Sequence, residues 1–129
     1  MEPLQPKRTV NRVILLGRLA APPEPVSEAG NVCQMVLTTQ EQAIGPTGEP
    51  AVRLEPHLLQ VEDAALRDFC LRHLTVGQIL YVEGMLRRNE WPERNAMPVV
   101  VLVRKLLVAP GMRASLPRNV REPVRNVFR

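Results

Sequence analysis

Val10-Asn11-Arg12-Val13-Ile14-Leu15-Leu16-Gly17-Arg18-Leu19-Ala20 is the first run with an unbroken apolar centre, and it is flanked by arginines on both sides. Four successive apolar residues ending in a glycine suit a strand whose backbone must bulge or pass close to a neighbour at Gly17. The segment that follows, Ala21 to Asn31, holds Pro22, Pro23, Pro25 and Gly30. Proline has no N–H to give a ladder, so a loop is expected there. Val32 to Thr39 then alternates, with Cys33, Met35 and Leu37 on one face and Gln34, Val36 and Thr38 on the other, which describes a half-buried second strand. Gly45, Pro46, Gly48 and Pro50 mark a turn, and Val52 to Val61 forms a third strand, expected to bend or bulge near Pro56.

Beyond Val61 the period changes. Leu66, Phe69, Cys70 and His73 fall on one stripe of a helix between Glu62 and Leu74, with Arg67 and Arg72 pointing elsewhere. Phe69 and Cys70 are therefore expected in the core. Glu62 and Asp63 stand at the helix start, where its dipole favours acids. Gly77 closes the region. Ile79 to Leu86 and Met97 to Val108 give two more strands, joined by the polar stretch Arg87 to Ala96 with Trp91 and Pro92. The order is β-β-β-α-β-β, an all-β class with one short helix.

Charge is unevenly spread. The 129 residues carry a formal net charge of +4, and residues 110 to 129 alone hold five arginines against one acid, leaving a neutral body. Three prolines and no periodicity in that segment predict a flexible basic tail over residues 110–129, just as residues 1–9 predict an N-terminal arm, with the folded domain at 10–109. Arginine outnumbers lysine 15 to 2. A planar guanidinium grips phosphate through two bonds and stacks on bases, which suits nucleic acid. No apolar stretch has the length of a membrane span, and no secretory signal is expected in the first ten residues. Two cysteines in apolar surroundings, Cys33 and Cys70, favour a reducing compartment.

Several segments resemble the bacterial and mitochondrial single-stranded DNA-binding proteins. They are Asn11-Arg12-Val13-Ile14-Leu15-Leu16-Gly17-Arg18-Leu19, Gln34 to Thr39, Val76-Gly77, Tyr81-Val82-Glu83-Gly84-Met85-Leu86-Arg87 and Trp91. The resemblance covers roughly residues 10 to 108. It implies an OB fold, a five-stranded Greek-key barrel capped by the helix, and homodimers or homotetramers built through the first strand. It also implies a bacterial cytoplasmic setting, with a mitochondrial one as the alternative.

The departures are as informative. Such barrels hold a strand by basic grooves and aromatic platforms, each stacked base contributing about 1–3 kcal/mol. By resemblance, platforms belong near Ala43, at Pro56 or His57, and at Val61 or Glu62, and none of these positions is aromatic. Three missing platforms would cost roughly 3–9 kcal/mol on that scale. Only Trp91 matches a stacking position. The acidic tip with which these proteins recruit replication and repair enzymes is also lacking, because the chain ends Arg125-Asn126-Val127-Phe128-Arg129. Cys33-Gln34-Met35-Val36-Leu37, Val52-Arg53-Leu54-Glu55-Pro56 and Met97-Pro98 are similar to the primosomal restart protein PriB, a relative that bridges helicase and single-stranded DNA-binding protein.

The candidate nucleic-acid contacts are Trp91 as stacker and Arg12, Arg18, Arg53, Arg87, Arg88 and Arg94 as phosphate ligands, with His57 as a further contact. Each has a plainer alternative: an oligomer contact for Trp91, a solvated strand surface for the arginines. Tyr81 alternates with Ile79 and suits the sheet or an interface more than a base. His57, His73, Cys33 and Cys70 lack the short spacing of a metal site, so no metal or cofactor is expected. Without a glycine-rich phosphate loop or nucleophile elbow, catalysis is not expected either. Three readings follow: a binder of single-stranded DNA, or of RNA, in replication, restart or repair; a PriB-like restart component; and a structural OB subunit that has lost nucleic-acid affinity.

Overall fold

The computed structural model describes residues 9–26 and 30–110. Of the expected arm at residues 1–9 and the basic tail at 110–129, all but Thr9 and Pro110 lie outside them. Five strands and one helix follow the expected order: β1 (Val13–Pro25), β2 (Cys33–Ile44), β3 (Pro50–Val61), α1 (Ala64–His73), β4 (Ile79–Arg88) and β5 (Val99–Val108). The strands close into a barrel in the order β1-β2-β3-β5-β4. All neighbours are antiparallel except β3 and β5, which meet in a short parallel seam at Leu59 and Gln60 opposite Val101 and Leu102. A closed five-stranded barrel with a helix between its third and fourth strands is the OB fold.

The alternation expected in β2 holds. Cys33, Met35 and Leu37 point inward to join Leu19, Leu59, Val61, Leu80, Val82, Val101 and Val103 in the core. Two glycines allow the sheet to close tightly. A Cβ on Gly17 would lie 2.5 Å from the carbonyl oxygen of Thr38, and one on Gly84 2.1 Å from that of Leu102. At Gly17 the expected close approach is found; the register of β1 shifts later, between Leu19 and Ala21 and again between Ala21 and Glu24.

Three expectations are corrected. The proline-rich segment is not a loop, because β1 continues to Pro25 and pairs Glu24 with Gln34 and Pro25 with Cys33. Past Leu19, which still bonds Gln78 and Gly77, this strand has only β2 beside it, and Pro22 and Pro23 fall between the paired positions Ala21 and Glu24, so their missing donors interrupt no regular ladder. Nor does β3 bulge at Pro56, since its register with β2 runs unbroken from Cys33 opposite Val61 to Ile44 opposite Pro50. Pro56 also lies where β3 has lost its other neighbour, so its lack of an N–H disturbs no second ladder. Finally, Phe69 is 39% exposed, whereas Cys70 is fully buried and Leu66 packs against the core. Successive helical residues are rotated by about 100°, which carries Phe69 to the rim, where its ring meets that of His73 at 5.2 Å.

The helix ends are satisfied locally. Asp63 is the N-cap and accepts from the Leu66 N–H at 2.9 Å. Arg67 donates from one nitrogen to the carbonyls of Asn31 and Glu62, at 2.8 and 3.1 Å, tying the helix to the strand ends beneath it.

Candidate nucleic-acid interface

Beyond the barrel, β2 and β3 continue as a two-stranded arm. Past Thr38 neither β1 nor β5 pairs with them, and the arm is closed by a turn in which the Gly45 N–H bonds the Glu49 carbonyl at 2.8 Å. The carboxylate of Glu49 receives the Thr47 hydroxyl and is held below the usual carboxylate range by that bond. Because the register is unbroken, the alternation that begins in the core persists along the arm. Its core-parity face carries Thr39, Glu41, Arg53, Glu55 and His57, and the opposite face carries Gln40, Gln42, Ile44, Val52, Leu54 and Pro56.

The hairpin between β4 and β5 is fixed by buried amides. Asn89 is 6% exposed and donates to the carbonyls of Asn95 and Met97 at 2.6 and 2.8 Å. Its side-chain oxygen accepts from the Trp91 N–H at 2.9 Å and from Gln60 at 3.3 Å, and Gln60 also reaches Gln34 at 3.3 Å. Gln34 and Gln60 stand on the face of β2 and β3 that points away from the core, so the hairpin base lies over one end of that face. This line of amides holds Trp91, which is half-buried, at a defined place. The sequence reading places Gln34 on the face of a half-buried strand opposite Cys33, Met35 and Leu37, and gives Gln60 and Asn89 no role. No local pattern marks three amides that meet only when β2, β3 and the hairpin are assembled.

The candidate cations do not converge on one face. Arg12 lies 3.9 Å from Glu83, Arg53 4.0 Å from Glu41 and Arg87 3.6 Å from Glu62. Arg18 is half-buried between Thr38 and Ile79, and burial draws its guanidinium below its ordinary value. Arg88 and Arg94 are exposed and, among the described residues, make no ion pair. Arg87 and Arg88, with Leu86, Asn89, Pro98 and Val99, line a cleft of about 580 Å3 at the foot of the hairpin. His57 is half-buried against the Thr39 hydroxyl at 2.8 Å, and burial lowers its pKa although Glu55 opposes this. Burial there disfavours the charged imidazole.

A different surface spans β1, β4 and β5. Ile14 and Leu16 oppose Glu83 and Tyr81, and Tyr81 opposes Leu107. The Tyr81 hydroxyl donates to Glu83, which raises the tyrosine pKa and lowers that of the carboxylate. Ile14 is 51% and Leu107 53% exposed, so this face is apolar with a charged margin.

Known proteins place this barrel. No family model matches the chain. Single-stranded DNA-binding protein 1 of Chlorobaculum tepidum is 32% identical over 88 residues, which cover 67% of this chain and 54% of that protein. The chain thus spans about half the length of this curated relative. Among solved structures, the Plasmodium falciparum SSB in complex with ssDNA superposes with a TM-score of 0.64 at 22% identity, covering 79% of this chain and 96% of that one. The single-stranded DNA-binding protein of Thermus aquaticus gives 0.62 at 22% identity, covering 79% and 51%. The molecule is an OB barrel of the type these proteins share. It belongs to the single-stranded DNA-binding protein family, as a diverged member.

Proposed function

We propose that the chain is a non-catalytic single-stranded DNA-binding protein that holds an unpaired strand between the β4–β5 hairpin and the outer side of β2 and β3. The observation that carries this reading is the buried amide line that anchors Trp91, the one aromatic that the resemblance puts at a stacking position, beside two exposed arginines free of ion pairs among the described residues. Arg88 and Arg94 supply the first phosphate contacts. Arg87 joins them by exchanging the exposed Glu62 carboxylate for a phosphate, since surface pairs of this kind are worth about 0–1 kcal/mol, while Arg53 on the core-parity face of the arm and Arg12 beside Glu83 stand apart from this path. Arg18 contributes a fixed charge at the β1–β2 margin, and His57 serves by packing.

The apolar face of Ile14, Leu16, Tyr81 and Leu107 supports a homodimer or homotetramer built through β1, as the family resemblance implies. Replication, restart and repair expose the strands such a protein would coat, and the bacterial relative supports a bacterial cytoplasmic setting.

Titrating a dT oligomer while following Trp91 fluorescence tests the reading. Quenching at low salt that weakens steeply as salt rises is expected, because released counterions drive phosphate binding. No quenching and no retained oligomer at low salt would overturn it.

A further inference from the structure

The only two cysteines of the chain, Cys33 and Cys70, meet in the core, where both are fully buried and both are free thiols. They come from different elements. Cys33 is the first residue of β2, opposite Val61 at the end of β3, and Cys70 is the one residue of α1 that is sealed. Arg67, one turn before Cys70, donates to the carbonyl of Asn31, two residues before Cys33, at 2.8 Å, and so clamps the helix onto the start of β2. Beneath that clamp the two thiols are hydrogen-bonded to each other. Apolar filling of the barrel mouth does not call for sulfur on both sides.

We infer that Cys33 and Cys70 form an oxidation site, a dithiol that closes to an internal disulfide and staples α1 to β2. The inference lies beyond the proposed function and does not depend on it. A fully buried thiol is ordinarily inert. This pair differs because each sulfur already touches its resolving partner and because a guanidinium stands beside one of them. The hydrogen bond from the Cys70 thiol holds Cys33 below its ordinary pKa, against burial and with help from Arg67, while giving that proton to Cys33 pushes Cys70 up. Cys33 is thus the attacking sulfur. The helix above it has ten residues and is wetted along its outer side, so local opening admits a small oxidant such as a peroxide.

In a reducing compartment the pair rests as two thiols. When hydrogen peroxide enters, the Cys33 thiolate attacks one oxygen, the O–O bond breaks, and Cys33 becomes a sulfenic acid. The departing hydroxide takes the proton that Cys33 released and leaves as water. The Cys70 sulfur then attacks the Cys33 sulfur, so that the S–S bond forms, the S–O bond breaks, and the second hydroxide leaves as water with the Cys70 proton. One peroxide is reduced, two thiols are oxidised, and no further reactant is needed.

The test exposes the folded full chain to hydrogen peroxide, then quenches, unfolds and alkylates it for mass measurement. The expected result is a chain lighter by about 2 Da that takes up no alkyl group. In Cys70→Ala, which lacks the resolving sulfur, dimedone is expected to trap a sulfenic acid at Cys33. Hydrogen exchange of the α1 amides should slow by about tenfold in the oxidised chain, because the staple suppresses opening of the helix. Two alkylated thiols after peroxide treatment of the folded chain would overturn the inference. So would disulfides that join separate chains on a non-reducing gel, or a mass loss that requires prior unfolding in urea. Unchanged α1 exchange in the oxidised chain would overturn the staple.

Discussion

The β2–β3 ladder is one continuous object with two fates. From Cys33 to Leu37 and from Leu59 to Val61 its inward residues are sealed in the barrel, and from Thr39 to Leu54 the same alternation stands in water on both sides. Nothing in the register separates the halves. What differs is company: the lower half has β1 and β5 beside it and a core beneath it, and the upper half has neither. Burial is therefore a property of the neighbours rather than of the strand, and identical residue types do different work on the two sides of Thr38.

Leucine truncation probes that difference most directly. Leu59→Ala, in the sealed half, is expected to lower unfolding stability by about 2–5 kcal/mol through the cavity it leaves, whereas Leu54→Ala should stay within about 0.5 kcal/mol. Urea unfolding monitored by circular dichroism measures both, and equal losses would show that the arm is packed after all. Gly84→Ala comes next in size. Its methyl group would press on the Leu102 carbonyl at the β4–β5 bulge, so a loss of about 1–3 kcal/mol is expected, with no comparable loss at Gly48 in the arm's turn on mutation to Asn.

A smaller effect concerns pH at the junction of the two halves. The pKa of His57 is drawn below its ordinary value of 6.5 in the folded chain. The unfolded chain thus binds the proton more readily, so the contribution of His57 to stability is complete above pH 6.5 and is lost as the pH falls below it. His57→Gln is expected to flatten the stability profile in that window, and thermal unfolding from pH 7.5 downward checks it. An unchanged slope would mean that the imidazole is solvated like the rest of the arm.

Much of the barrel was legible in residue order. The period-2 pattern of Cys33, Met35 and Leu37 located the inner face of β2, and the change of period after Val61 located the helix. Gly17 announced a close approach because no other residue tolerates a carbonyl at that distance. The prolines misled. A rule about missing donors speaks of a strand with neighbours on both sides, and Pro22, Pro23 and Pro56 lie where one neighbour is absent, a fact of topology. Phe69 misled for a related reason: a helix stripe gives a direction, and how much of it the barrel covers depends on the docking angle.

The candidate site divides in the same way. Trp91 and the exposed Arg88 and Arg94 could be picked from composition, since an indole in a polar hairpin has little else to do. That Arg12, Arg53 and Arg87 each face a carboxylate could not, because their partners Glu83, Glu41 and Glu62 are brought near by strand pairing and closure. The amide line of Gln34, Gln60 and Asn89 and the uncharged side of the arm belong to this second kind. The chain by itself set which residues alternate, where the helix begins and where charge accumulates, because those depend on neighbours a few positions away. Which alternating face meets a core, which meets water and which cations stay unpaired were decided by barrel closure, because burial and pairing depend on what arrives from distant parts of the chain.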